Sequence, residues 1–274
     1  MHAVVPFHDD STGIRLRLLS YNIQVGIAAA GFSDYVFHGW EHLLPSTQRI
    51  RNLHRIARMI RDFDIVGLQE LDSGSLRSGF INHAEYLARE AKFPHWCDKT
   101  NRKLWKVARH SMGLLSKYAP IGISRHELPA RLPGRGALVA RFGSPENPLV
   151  LVLAHLSLSR SARCFQMEYL SELIRDCRHV ILMGDLNCSP DSRELSRFLC
   201  ETSLCMPYPE LFTYPSWNPK KHLDHILVSP TIATGPVEVL NYSLSDHLPI
   251  TMEVSLPEEV LLPGGSEGRK TQAA

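Results

Sequence analysis

The segment 14–23, IRLRLLSYNI, alternates apolar with charged residues and then turns apolar, which predicts a strand ending at Asn22. The stretch 27–45 carries Phe32, Tyr35, Phe37 and Trp40, too irregular for one element and too aromatic for a disordered linker. The period then changes. Ile50, Leu53, Ala57 and Ile60 share one helical face, with arginines at 49, 51, 55, 58 and 61 around the others, and Ser46 or Thr47 supplies an N-cap after Pro45. That spacing predicts a surface helix whose arginines are solvated. The run DIVGLQE, 64–70, is again a strand and completes a strand, helix, strand unit ending at Glu70. Further strands are predicted near 112–116, 136–142, 149–155, 225–229, 236–240 and 250–254, and helices near 82–92 and 161–177. The apolar run ILM that opens 181–190 reads as one more buried strand.

Strands outnumber helices, and several pairs have short connections. This favours an α/β fold of sheets packed on each other with helices outside over a purely parallel doubly wound sheet. Neither an internal repeat nor a linker-like break divides the chain, so one domain is expected over 14–256. Residues 1–13 read as an N-terminal extension. Residues 257–274 read as a tail, disordered by the Gly-rich polar composition of PGGSEGRKTQAA.

The 274 residues are 44% hydrophobic and 21% charged, an ordinary globular composition. No apolar run approaches the roughly 20 residues of a membrane helix, and the N-terminus lacks the basic-then-apolar order of a secretory signal, so a cytoplasmic location is expected. The six cysteines form no C-x-x-C pair and no zinc-type spacing, which points to reduced thiols. A net charge of +2 argues against a surface that is an electrostatic footprint for nucleic acid as a whole, though it leaves room for a local basic groove. No protein partner is expected.

Candidate chemistry lies at the strand ends. In ILMGDLNCSP, Asp185 and Asn187 point the same way from the mouth of a strand, and burying them without partners costs roughly 2–7 kcal/mol for a polar group and more for a charge. An Asx turn capping the strand is the plain alternative. The same placement recurs at Asn22, Glu70, His155, Asp224 and Asp246 with His247. If those ends converge, four carboxylates repel one another, and a divalent cation relieves the repulsion. Oxygen donors without thiolates favour Mg2+, with Mn2+ as the other candidate. His225, beside Asp224, alternates to the opposite face and reads as structural.

LLSYNIQVG, DIVGLQELD, LVLAHLSLS, VILMGDLNCSP, KHLDHILVS and LSDHLPI, in that order from 18 to 250, resemble the successive motifs of the endonuclease/exonuclease/phosphatase superfamily. The resemblance implies a four-layer α/β/β/α sandwich of two packed mixed sheets that hydrolyses phosphoesters with Mg2+ at one rim. It implies Glu70 as principal metal ligand with Asn22 and Asp246 beside it. It further implies that Asp185 activates or orients water and Asn187 holds phosphate or water. His247, paired with Asp224, stabilises charge or protonates, and His155 contacts the phosphate.

The substrate is less legible. Arg77, Ser78 and Asn82, Asn101 and Arg102, Arg135, and Lys220 and Lys221 beside Trp217 are candidates to bind phosphate or stack on a base or sugar; surface charge and helix capping are the alternative for each. RHSMGLLSKYAP departs from the tyrosine-bearing pattern of abasic-site endonucleases, against a DNA-repair role. The reading is a Mg2+-dependent phosphodiesterase or nuclease, ahead of a phosphoesterase for phospholipid head groups or small metabolites, and of a non-catalytic binding module. Residues 27–45, next to Asn22, are expected to shape a pocket or touch a membrane surface.

Overall fold

The computed structural model describes residues 13–26, 47–104, 108–130 and 134–263. The alternating segment forms β1 (Arg15–Asn22). Helix α1 (Thr47–Ile60) leads to β2 (Ile65–Asp72), which pairs with β1 in parallel, Leu18 beside Ile65 and Asn22 beside Gln69. Helix α2 (His83–Ala91) is followed by β3 (His95–Leu104) and β4 (Ala108–Ser116). With β10 (Ala233–Val239) and β11 (Ile250–Ser255) these strands make a six-stranded sheet in the order β10, β11, β1, β2, β4, β3. The second sheet runs β5 (Pro120–Glu127), β6 (Gly136–Gly143), β7 (Pro148–His155), β8 (His179–Asp185) and β9 (Asp224–Val228). Helices α3 (Arg160–Ile174) and α4 (Arg193–Thr202) flank it.

Two mixed sheets pack face to face with helices outside, the four-layer sandwich. Between the sheets lie Leu16, Leu18, Ile65, Leu114, Leu151, Leu153, Met183, Ile226 and Ile250, all buried. On the outer faces, Leu53, Ile56 and Ile60 of α1 with Leu87 of α2 cover one sheet, and Met167 and Leu170 of α3 with Leu195 and Phe198 of α4 cover the other. Each sheet is therefore buried on both sides. This is why β2, β7 and β8 read as nearly continuous apolar runs.

Three elements differ from the sequence expectation. β3 and β5 are edge strands rich in polar residues, each paired on one side only, so neither carries a clean apolar signal. Helix α4, not expected from the sequence, starts at the end of the segment SPDSRE (189–194) and runs beyond it; Ser192 caps it by accepting from the Leu195 amide, and Glu194 occupies its first turn. Within the expected tail, Val260 and Leu262 instead pack into the inter-sheet core. Residues 1–12, 264–274 and the aromatic stretch from 27 to 46 lie outside the described residues.

A buried polar knot closes the end of β2. Asp72, fully buried, accepts from the amides of Gly74 and Ser75, from the hydroxyls of Ser75 and Ser78, and from Nε of Arg77 at 2.5 Å. Burial alone would raise its pKa, but the Ser75 and Arg77 hydrogen bonds bring it down to about 2. Arg49 of α1 donates to the Arg77 carbonyl, tying helix to loop. Breaking a buried pair by removing one partner leaves an uncompensated charge. Asp72→Ala is therefore expected to cost about 3–5 kcal/mol in equilibrium denaturation, and a loss under about 1 kcal/mol would show that the Arg77 guanidinium finds other partners.

Candidate active site

The register of the second sheet builds the first half of the site. His155 of β7 pairs with Asp185 of β8, and Asp185 with Asp224 of β9, so three polar groups stand in one row across neighbouring strands. Gly184, just before this row, has φ 144° and an added Cβ would lie 1.9 Å from the Ala154 carbonyl oxygen, so the close strand approach excludes any side chain there. Asn187 follows at φ 52°, a left-handed conformation that Asn tolerates. Its amide donates to Asp185 Oδ1 at 3.0 Å, and its Nδ2 donates to the Leu156 carbonyl at 3.0 Å.

The first sheet supplies the other half. Asn22, at the end of β1, donates from Nδ2 to Asp185 Oδ2 at 3.1 Å and bridges the two sheets. Glu70 sits where β2 bulges against β4, between the pairs Leu68 with Gly113 and Leu71 with Ser111, at φ 54°. An L-residue held left-handed costs roughly 1–3 kcal/mol and marks a constrained position. The bulge turns the Glu70 carboxylate into an open cleft, where it lies 4.0 Å from His155 Nε2 and keeps 32% of its side-chain surface exposed.

The loop before β11 contributes Asp246 and His247, held by the Ser216 amide on the Asp246 carbonyl at 2.8 Å and the Leu248 amide on the Thr213 carbonyl at 2.8 Å. His247 donates from Nδ1 to Asp224 Oδ2 at 2.8 Å, and Nε2 lies 3.8 Å from Asp185 Oδ2. Burial opposes charge on this imidazole, but Asp224 and then Asp185 outweigh burial and lift its pKa to about 10. His155 behaves oppositely. Burial, reinforced by Arg135 with Nη1 2.6 Å from its Nε2, holds it well below the ordinary histidine value, so its imidazole is neutral. Burial raises Asp185 to about 7.

Asp246 is raised by burial, and the charge of Glu70 adds to that. A buried carboxylate beside a second one open to the cleft suits an oxygen-ligated divalent cation. Asp185, Asp224 and His247 also present ligand atoms within 4.8 Å of one another. That grouping is already joined by the His247–Asp224 hydrogen bond, and Thr213 Oγ1 donates to the same Asp224 oxygen at 2.6 Å.

The expected substrate residues divide. Arg135 lines the cleft against His155. Arg77 does not reach it: the guanidinium is enclosed with Asp72, and the residue is 3% exposed. Asn82 is the N-cap of α2, accepting from Ala84 and Glu85 amides, and its Nδ2 is taken by Asp98. Trp217 is half-buried and adjoins Ser216, which holds Asp246, but is not among the cleft-lining residues. His225 is fully buried, hydrogen-bonded to the Cys188 carbonyl and stacked on His222. The sequence reading missed Thr213, whose role behind Asp224 has no local signal. It also missed Leu158, Ala162 and Phe165, which form an apolar side of the cleft because the N-terminal turns of α3 lean over it.

The profile of the Endonuclease/Exonuclease/phosphatase family matches residues 19–247. Among solved structures, an endonuclease/exonuclease/phosphatase from Beutenbergia cavernae superposes with a TM-score of 0.70 at 19% identity, over 89% of this chain and 72% of that one. A mannosyl-6-phosphatase from Bacteroides thetaiotaomicron gives 0.63 at 19% identity over 88% and 100%, respectively. Beta toxin from Staphylococcus aureus gives 0.60 at 16% identity over 86% and 99%. At such identities the likeness is one of fold. No curated protein matches the chain. The family profile spans both halves of the site, from β1 to His247, and the chain belongs to the endonuclease/exonuclease/phosphatase family, whose members are generally hydrolases of phosphoester bonds.

Proposed function

We propose that the protein is a Mg2+-dependent phosphoesterase, in the first place a phosphodiesterase of nuclease type, cleaving by in-line attack of water. The observation that carries this reading is the row His155, Asp185, Asp224 facing Asn22 and Glu70 across the two sheets, with the imidazoles of His155 and His247 3.5 and 3.8 Å from the Asp185 carboxylate. A divalent cation held by Glu70, with Asn22 and Asp246 beside it, would offset charge on the phosphoryl oxygens; Mn2+ would suit the same donors.

The chain's own groups supply the rest. With a pKa near neutrality, Asp185 is poised to take a proton from water, and Asn187, fixed by its left-handed backbone, orients that water or a phosphoryl oxygen. His247, kept protonated by Asp224, places positive charge where the phosphorane develops negative charge. Neutral His155 and Arg135 donate to the remaining oxygens. The cleft, about 950 Å³, has the size of a small-molecule site.

One observation favours a second reading, action on a phospholipid head group. Leu158 is 76% and Phe165 62% exposed at the cleft, an apolar rim suited to a lipid surface. Salt sensitivity separates the two: nucleic-acid affinity falls steeply with salt, whereas binding to zwitterionic vesicles through Leu158 and Phe165 does not. For location we propose the cytoplasm, supported by six unpaired cysteines. Among the described residues, no helix is long and apolar enough to cross a membrane.

Wild type is expected to hydrolyse a chromogenic phosphodiester faster than its matching monoester, with turnover abolished by a chelator. Asp185→Asn and His247→Ala are each expected to lower kcat by about 10²–10⁴ with an unchanged circular dichroism spectrum; a near-wild-type rate in either would remove the role given to that residue. The His247 proton is expected to persist through neutral pH in the metal-free protein and to leave only on the alkaline side. Asp224 raises that pKa, so Asp224→Asn is expected to move the transition to lower pH in an NMR titration, and an unmoved transition would exclude Asp224 as its electrostatic partner.

A further inference from the structure

Beyond the catalytic row, the cleft continues along a cationic wall of which the proposed chemistry uses Arg135 alone. Its residues come from β3 and from the start of β6. β3 bulges at Asn101, between the pairs Thr100 with Ser111 and Arg102 with His110. Strict alternation would send Asn101 and Arg102 to opposite faces, but with the extra residue both line the cleft. Lys99, 5% exposed, donates from Nζ to Asn101 Oδ1 at 3.1 Å. The wall closes over Gly136, where an added Cβ would meet Asn101 Oδ1 at 2.5 Å and Lys99 Nζ at 2.7 Å. Arg102 lies over Gly134 in the same way, its Cδ 3.3 Å from an added Cβ. Arg135, between these glycines, reaches back to His155.

The balance of charge along this wall is one-sided. Among the described residues, Lys99, Arg102 and Arg135 have no carboxylate within ion-pair distance, and Glu70 at the catalytic end is the one carboxylate lining the cleft. The Lys99 ammonium stands behind the cleft-lining Asn101; the charge of Glu127 acts on it from beyond ion-pair distance, and its hydrogen bond is to the neutral Asn101 side chain, so an anion in the cleft would complete it. An arginine fork beside an amide and an ammonium is a phosphate-binding set. The catalytic phosphoryl group is already served by His155, His247, Arg135 and the Glu70 side.

We propose that Lys99, Asn101 and Arg102 form a subsite for a second phosphate group, so that the substrate is a phosphoester carrying a further phosphate beside the one cleaved. This rests on the phosphoesterase reading above and narrows its substrate class. The test compares thymidine 5′-(p-nitrophenyl phosphate) with the same compound bearing a 3′-phosphate, in the presence of Mg2+. In wild type the added phosphate is expected to raise kcat/KM by about tenfold, the size of one charge-assisted hydrogen bond, mainly through KM. In Arg102→Ala, and in Lys99→Met, which keeps the buried stem, that ratio is expected to fall towards one. A ratio near one in wild type, or one that survives both substitutions, overturns the subsite.

The same pair built on propane-1,3-diol separates the sources of the second phosphate. An equal gain there points to a phosphorylated metabolite or lipid, and a gain confined to the thymidine pair points to a nucleic-acid backbone. If neither compound of either pair is turned over, the phosphoesterase reading fails on its own. The subsite is then decided by calorimetry with inorganic pyrophosphate in the absence of divalent cations: weaker binding by Arg102→Ala than by wild type retains it, and equal affinity removes it.

Discussion

The Asp185 carboxylate is 2% exposed, at the rim where the two sheets meet, and the rest of the site is arranged to make that tolerable. A carboxylate in such a place costs several kcal/mol unless it is neutralised or fully bonded. Here Asn22 reaches it from the other sheet, the Asn187 amide from its own loop, and two imidazoles stand within 3.5 and 3.8 Å. The same environment that threatens stability raises its pKa towards neutrality, where a proton acceptor is most useful. The contact with Asn22 also spans the two sheets, so sheet packing and site geometry are coupled.

Backbone geometry carries part of the cost. Glu70 and Asn187 are both left-handed, and both lie where a regular strand gives way to functional geometry. The bulge in β2 aims Glu70 into the cleft, and the bulge in β3 turns two successive side chains towards it. Both strands pair with β4 at the Ser111 and His110 level, so the two irregularities share one rim. The strain is offset nearby by the Asp72 knot, whose six hydrogen bonds to one carboxylate fix the chain directly beyond Glu70.

Legibility followed burial. Strands covered on both faces, such as β7 and β8, were readable as apolar runs, and α1 as an amphipathic stripe. The edge strands β3 and β5 were not, because exposed edges are selected for solubility and carry the residues of a loop. Among site residues, those at strand ends were readable since a polar side chain after an apolar run has no packing purpose. Arg77 shows the converse. Its charge looked available for substrate, yet Asp72, five residues earlier, captures it, and no local pattern separates a buried ion pair from a surface arginine. Thr213 was silent for a similar reason: a hydroxyl in a loop acquires meaning only from the aspartate it faces.

By itself, the order of apolar runs and their polar ends determined that sheets pack on each other with helices outside and that polar groups collect at strand ends, and the succession of motifs carried the family resemblance. Period and burial are local properties of the chain, and the polar residues at strand ends are exceptions to them. Only the tertiary structure decided which charges are partnered. Strand register set His155, Asp185 and Asp224 in one row, sheet packing brought Asn22 onto Asp185, and bulges chose the directions of Glu70, Asn101 and Arg102. Ion pairing and pKa depend on distances of a few ångströms between residues far apart in the chain, and no pattern within a segment encodes those distances.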